Sequence, residues 1–439
     1  MFLQYAIWGA WLPLLWPFLS GHRGFSPSEI GNMFAIGAVG AIVAPFIAGQ
    51  IADRWFNTEK FLGISHILGG ILVWQLASLE TYNSFLVFSL LYSLIYSPTL
   101  SLTNSLAFHH LPDRDRDFGK IRVWGTIGWI VVGIGIGQWL LHQHTPIGLE
   151  AEAVSAAQAA GMADAFKLSG LLGIVMGIFC FFLPSTPPAK EEKKSAIGGA
   201  LDAIRLQPLL TLFLIAVPIS CVHQFYFVHT APFLGQFQNQ AEGFIDIVNK
   251  IVGVGGGGLM TIGQMAEIGV LAMIPLFAKK YSRKALLCVG IAAYALRMFL
   301  FAYGPNFPET LQLPAIILGI AMHGLCFGCF IFVAFMVVDE ECAADVRASA
   351  QSLFNLVIVG IGIIVGSKVA GYVAEISTVN EVMNYQKLFS VPMWAALACL
   401  VIMQLCYPNK PPATAADGPS DKDADLDIDS DAASNNGDE

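Results

Sequence analysis

Charge is what this sequence has least of. Asp, Glu, Lys and Arg make up 13% of its 439 residues, where a soluble domain carries about a quarter. A chain with so few charges and a mean hydropathy of +0.63 is not expected to have water as its main solvent. The signatures of chemistry are missing too. GVGGGG at 253–258 lacks the Lys-Ser/Thr ending of a phosphate loop and reads as a flexible lead into a helix. DKDADLDIDSD in the tail alternates Asp, but lacks the Gly and Glu that a calcium loop requires. The eight cysteines are scattered, and the C-x-x-C of Cys326 and Cys329 stands in an apolar helix without other ligands, which suits small packing residues. No metal, nucleotide or nucleophile set stands out. No enzyme, cofactor or nucleic-acid partner is therefore expected.

What is present is a series of apolar runs about as long as a bilayer core is thick. Twelve can be counted, near 2–19, 28–52, 60–78, 84–108, 119–141, 163–183, 208–234, 258–278, 285–303, 311–337, 348–374 and 386–406. They are too long for barrel strands of about ten residues, so helices must satisfy the backbone in lipid. The first run starts at Met1 with no basic flank or cleavage site, which reads as a retained span. The missing polar leader is also compatible with a start farther upstream.

With both termini cytoplasmic, the inward loops and tail hold sixteen Lys and Arg and the outward loops four, Arg23, Lys167, Lys250 and Lys387. That imbalance sets the expected orientation. The expected fold is an all-α membrane protein of twelve transmembrane helices in two six-helix bundles. Residues 1–183 form the first bundle, 184–207 a Pro-rich and charged cytoplasmic loop, and 208–406 the second bundle. Residues 407–439 form an acidic, disordered tail. From 411 onward the tail holds nine acids and one Lys, so most of the chain's negative charge says nothing about its substrate. Two bundles rocking about a midplane site is the build of an alternating-access carrier. The Ala-rich insert at 142–162 is strongly helix-prone, with no role assigned to it.

Polar residues within the spans mark the candidate site. An ionisable group at membrane depth costs at least about 2.5 kcal/mol and usually marks a pathway. Glu267, in GQMAE, is the sharpest case, and Gln264 lies three residues earlier on the same helix face. An amide beside a carboxylate suits a polyhydroxylated or heterocyclic solute, and the carboxylate can take a proton. A rival reading pairs Glu267 with Arg297, within ALRMFLFAYG. Gln224, in VHQFYFVHTAPF, is either a substrate contact among aromatics or interhelical glue. His229 nearby is a possible relay or a structural histidine, and His66 is assigned to packing. His323 and Phe327 sit one turn apart in MHGLCFGCF. Arg122, Thr126 and Trp129 share one helix face in KIRVWGTIGWI, and Arg122 either snorkels to the inner surface or faces the central cavity.

IRVWGTIGWI, ALRMFLFAYG, GQMAE and RASAQSLF resemble segments of the bacterial nucleoside:proton symporter family, within the major facilitator superfamily. FLQYAIWGAW, YSPTLSLTN and NSLAFHHL resemble it too, and GQIADRWFNTEK is similar to the superfamily's D-R loop. The resemblance spans nearly all twelve runs and fades in the insert and the tail. It implies a major facilitator fold with nucleoside contacts at Arg122, Thr126, Gln224, Gln264 and Glu267, and Phe327 as an aromatic wall. Trp129 stands where the family often has Phe, and His323 where it has Tyr; both are counted in the site. Phe227 stands where Asn is expected, and Gly328 where a buried Asp is expected. Without that acid, Glu267 is the obvious proton-coupling group.

The resulting expectation is proton-coupled nucleoside uptake across a bacterial inner membrane. The partners would be a nucleoside, a proton and membrane lipid, and the protein would work as a monomer. The alternatives are a carrier of another small polar solute, such as a sugar or modified nucleoside, and a non-transporting sensor on the same fold.

Overall fold

The computed structural model describes residues 1–47, 57–187, 197–239, 243–380 and 382–409. The D-R loop, the charged part of the central connection and the acidic tail from 411 lie outside these residues.

Among the described residues, ten helical segments are long and apolar enough to cross a membrane. Pro27–Ile47 and Thr58–Leu76 are packed among them, the latter less apolar because it carries Glu59, Lys60 and His66. In chain order the spans are Phe2–Gly21, Pro27–Ile47, Thr58–Leu76, Tyr82–His110, Arg114–Gln143 and Ala163–Cys180 in the first half. Leu209–Gln238, Gly257–Lys280, Arg283–Tyr303, Glu309–Glu341, Ser349–Ser377 and Tyr385–Cys406 form the second. An even number of crossings brings both chain ends to one side, here the terminal face; the opposite side is the distal face.

Lipid offers no hydrophobic drive between helices, so close approach through small residues holds them together. In the first bundle the third and sixth spans meet at glycines: a Cβ on Gly70 would lie 2.7 Å from the Gly170 carbonyl oxygen, and one on Gly177 the same distance from that of Gly63. Prolines inside the fourth, seventh, eighth, tenth and twelfth spans remove backbone donors and bend the helices. The tenth and eleventh spans each contain a π-helical stretch, Cys326–Phe332 and Leu356–Gly362. Such wide turns rotate the faces on either side relative to one another.

The insert forms a helix, Ala151–Gly161, on the distal face. Gln158 Nε2 donates to Thr145 Oγ1 at 3.0 Å, and Asp164 accepts from Trp139 Nε1, His144 Nε2 and Lys167 Nζ, each at 3.0 Å.

The two bundles meet tightly at the distal end. The second span lies against the eleventh, where a Cβ on Gly31 would come within 2.8 Å of the Ser367 carbonyl oxygen and 3.0 Å of Gly371 Cα. Ser28 Oγ, next to it, donates to the Glu375 carboxylate. The rings of Trp16 and His229 stand 4.3 Å apart across the seam. His229 Nε2 contacts the Ala370 carbonyl at 3.1 Å, so this histidine serves packing between helices.

Between the fifth span and the loop leading to the eighth, the closure is made by backbone. Val254 N–H donates to the Gly137 carbonyl at 3.0 Å, and Gln138 Nε2 to the Lys250 carbonyl at 2.9 Å. Gln238 pins the loop from behind, donating to the Gly253 carbonyl and accepting from Gly256 N–H, both at 2.7 Å. Gly253, Gly255 and Gly256 have φ of +78°, +85° and +81°, a region open to glycine at little cost. The 253–258 stretch is therefore a fixed turn closing the seam, not a flexible lead.

Candidate functional site

The second bundle buries a cluster drawn from four spans. Gln264 and Glu267 come from the eighth, Tyr294 and Arg297 from the ninth, His223, Tyr226 and Phe227 from the seventh, and His323 and Phe327 from the tenth. Arg297 is 0% exposed. Its guanidinium carbon lies 4.2 Å from the Tyr226 ring centroid and 5.0 Å from that of Tyr294. Cation–π contact of a desolvated charge is worth about 2 kcal/mol, well short of the cost of burying it. An acidic partner is therefore expected close by, yet none lies within ion-pair distance among the described residues.

His323 sits in between. Its Nδ1 is 3.2 Å from Arg297 Nη1, and its Nε2 is 3.5 Å from Glu267 Oε2. The direct Glu267–Arg297 pair considered from the sequence is thus not formed; one imidazole bridges the two charges. The His323 ring stacks on Tyr226 at 4.9 Å and lies near-parallel to His223 at 5.6 Å. His223 Nδ1 in turn meets Tyr294 Oη at 2.7 Å.

Close backbone approach makes this cluster possible. A Cβ on Gly263 would lie 2.9 Å from Tyr226 Oη and 3.0 Å from His323 Cβ. One on Gly324 would lie 2.5 Å from the Ala266 carbonyl oxygen. Gly328 faces Val270, whose Cγ1 would be 2.7 Å from an added Cβ. The position where an acid was expected is therefore filled by an apolar neighbour.

The cluster also holds unmet polar capacity. Gln264 Oε1, Tyr226 Oη, and Nε and Nη2 of Arg297 are buried without a hydrogen-bond partner. A buried orphan costs about 1–3 kcal/mol, and a row of them beside a carboxylate is the arrangement of a site that completes its bonds with a solute. Glu267 itself keeps 12% of its side chain exposed.

The fifth-span residues belong to the other bundle. Arg122 lies over the Tyr5 ring at 4.3 Å and has no ion-pair partner among the described residues. Trp129 packs edge-on to Trp8 at 5.8 Å and against Gly9. Thr126 is half-buried between them. The same helix face continues to Gly133, where an added Cβ would touch Thr261 Cγ2 at 3.1 Å. The face with Arg122, Thr126 and Trp129 thus runs toward the seam with the eighth span, although no hydrogen bond links these side chains to the Glu267 cluster among the described residues. Gln224 is buried behind Gly366, where an added Cβ would lie 2.9 Å from its own Cβ. Phe327 lies 6.4 Å from the His323 ring and Phe227 6.1 Å.

Sequence reasoning missed a second polar cluster, in the first bundle. Gln4 is fully buried. Its Nε2 donates to Thr99 Oγ1, and its Oε1 meets Thr103 Oγ1 and His66 Nε2, each at 2.9 Å. Tyr96 Oη donates to the Gln4 carbonyl at 2.5 Å. The signal was a lone amide within the first apolar run, and the rule applied to Gln264 would have flagged it.

A family model described as nucleoside H+ symporter matches residues 1–411. The putative nucleoside transporter YegT of Escherichia coli K12 is 34% identical over 385 residues, 85% of this chain and 83% of YegT. A crystal structure of the nucleoside transporter NupG superposes with a TM-score of 0.78 at 25% identity, covering 93% of this chain and 97% of that one. A D-xylose–proton symporter structure, at 15% identity and a TM-score of 0.65 over 94% of this chain and 98% of its own, shares the fold. The protein has the twelve-helix major facilitator architecture, and the chain belongs to the nucleoside H+ symporter family.

Proposed function

We propose that this protein imports nucleosides together with protons across a bacterial cytoplasmic membrane. Its terminal face lies in the cytoplasm and its distal face outside, as the sixteen-to-four distribution of Lys and Arg favours. The observation that carries the reading is the mostly buried Glu267 carboxylate among unsatisfied polar groups, in a chain of the nucleoside H+ symporter family.

In this mechanism the distal-closed conformation is the inward-facing one. When the distal seam opens, Glu267 takes a proton from outside, and the nucleoside docks between the bundles. Gln264 and Gln224 meet base and ribose, Arg122 and Thr126 contact the solute from the first bundle, and Trp129, His323 and Phe327 supply ring faces. Closure of the seam returns the site to the cytoplasmic side, where proton and solute leave together. The protein acts as a monomer in lipid, with the proton as its coupling ion.

Uptake of labelled uridine into proteoliposomes under an inward proton gradient is the test. Wild type should accumulate uridine above equilibrium, and Glu267→Gln should only equilibrate it. Accumulation by Glu267→Gln would sink the proton role. A second substrate reading has its own support: Val270 crowds Gly328 and Phe227 replaces a polar group, making this wall more apolar than the family resemblance implies. A competition panel of nucleosides, free bases and sugars separates a nucleoside carrier from one for another ring-bearing solute.

A further inference from the structure

We propose that Arg297 holds His323 in a single tautomer, so that His323 positions the Glu267 carboxylate as a fixed donor and does not itself carry the transported proton. The inference rests on the reading of Glu267 as the proton-binding group.

The argument is one of donors and acceptors. A guanidinium has five N–H donors, no acceptor, and does not deprotonate in proteins. Whichever ring nitrogen faces Arg297 Nη1 at 3.2 Å must therefore present a lone pair. That nitrogen is Nδ1, so the imidazole proton resides on Nε2, which faces Glu267 Oε2 at 3.5 Å. A doubly protonated His323 would set an N–H against an N–H and a cation against a buried cation. Passing a proton through the ring would need it to arrive at Nδ1, and that side is occupied.

The other groups around the ring reinforce this. Among the described residues, the other titratable side chains packed with the ring are His223 and Tyr226 of the seventh span, and Tyr294 of the ninth is bonded to His223. Arg297 and Glu267 are thus the formal charges facing His323. The proton must reach Glu267 through the part of its side chain that His323 leaves uncovered, where it retains its 12% exposure.

The test compares proton-driven uridine uptake, and substrate-coupled proton influx, across pH 5–8 in proteoliposomes. His323→Gln keeps a donor but cannot titrate in this range. It should raise the KM for uridine, because a ring face of the site is lost, yet retain concentrative uptake and proton influx with a pH profile superimposable on wild type. His323→Leu, lacking the donor, should keep coupling but move the midpoint of the profile, since a hydrogen bond to the charged form is lost. Arg297→Gln frees Nδ1 and should add a second step to the pH profile of uptake, which disappears in Arg297→Gln/His323→Gln. Should Arg297→Gln not fold, Arg297→Lys preserves the donor and should match wild type, and His323→Gln then decides the matter. Substrate binding by His323→Gln without proton influx would overturn the proposal. Accumulation by Glu267→Gln would instead remove the reading beneath it, whatever His323→Gln does.

Discussion

Replacing Gly137 by Ala tests the distal closure most directly. An added Cβ would sit 2.5 Å from the Val252 carbonyl oxygen and 3.2 Å from Gly253 Cα. Both neighbours are backbone, in a turn pinned by Gln238, so neither can rotate away. The seam must widen. Overpacking of this kind costs about 1–3 kcal/mol. The two inter-bundle hydrogen bonds, Val254 to Gly137 and Gln138 to Lys250, lose part of about 0.5–1.5 kcal/mol each. Together this is about 2–5 kcal/mol, which at 1.4 kcal/mol per tenfold moves the closed-to-open ratio by roughly 30-fold or more. Ala is the better helix former by about 1 kcal/mol, so the change is not a weakened helix. Gly135 has nothing within 4 Å of an added Cβ, and Gly135→Ala serves as the neutral control. Spin labels at Leu149→Cys and Val382→Cys, both exposed on the distal face, report the separation once the exposed Cys406 is replaced by Ser. Gly137→Ala should populate longer distances and slow uptake. An unchanged distance distribution with wild-type uptake would refute the closure.

Three further substitutions probe other parts of the structure. Arg122→Ala should lower kcat/KM for uridine by about 10–100-fold, the worth of one charge-assisted hydrogen bond; unchanged uptake would return Arg122 to the membrane surface. Gln4→Leu strands Thr99, Thr103 and His66 in the buried core and should cost about 2–5 kcal/mol, read as a melting temperature several degrees lower in detergent; an equal melting temperature would show the cluster is not structural. Gly328→Ala should destabilise by about 1–3 kcal/mol through its contact with Val270, and Val270→Ala in the same chain should restore stability. Additive losses in the double variant would show that the contact is not the cause.

Most of the scaffold could be read from run length, because lipid leaves the backbone few options. The runs near 60–78 and 386–406 became Thr58–Leu76 and Tyr385–Cys406. What stayed hidden depends on more than one helix. Spacing placed Gln264 and Glu267 on one face, but could not say that His323 of the tenth span would come between Glu267 and Arg297 of the ninth. Nor could it reveal the π-helical stretch Cys326–Phe332, whose wide turns rotate the faces on either side relative to one another. The glycines at 253–258 looked like slack, because composition records freedom of φ and not the backbone that such freedom lets approach.

The bridging histidine changes what the loss of an acid at position 328 means. In the middle of the second bundle the formal charges are Arg297 and Glu267, with Lys368 exposed on the eleventh span. With Glu267 ionised, the buried pair is balanced through His323. With Glu267 protonated, Arg297 stands uncompensated in a medium where an isolated charge is costly. Among the described residues no second carboxylate is at hand to restore the balance, since Gly328 faces Val270. The protonated state then gains most from a solute whose oxygens or ring nitrogens meet the free Nε and Nη2 of Arg297 and the amide of Gln264. Proton and solute would each make the other's binding more favourable, as linkage requires of any coupled pair. The coupling can be weighed by measuring uridine affinity at pH 5 and pH 8. Wild type should bind more tightly at the lower pH, and the difference should vanish in Glu267→Gln. An affinity independent of pH in wild type would break the link between this charge balance and transport.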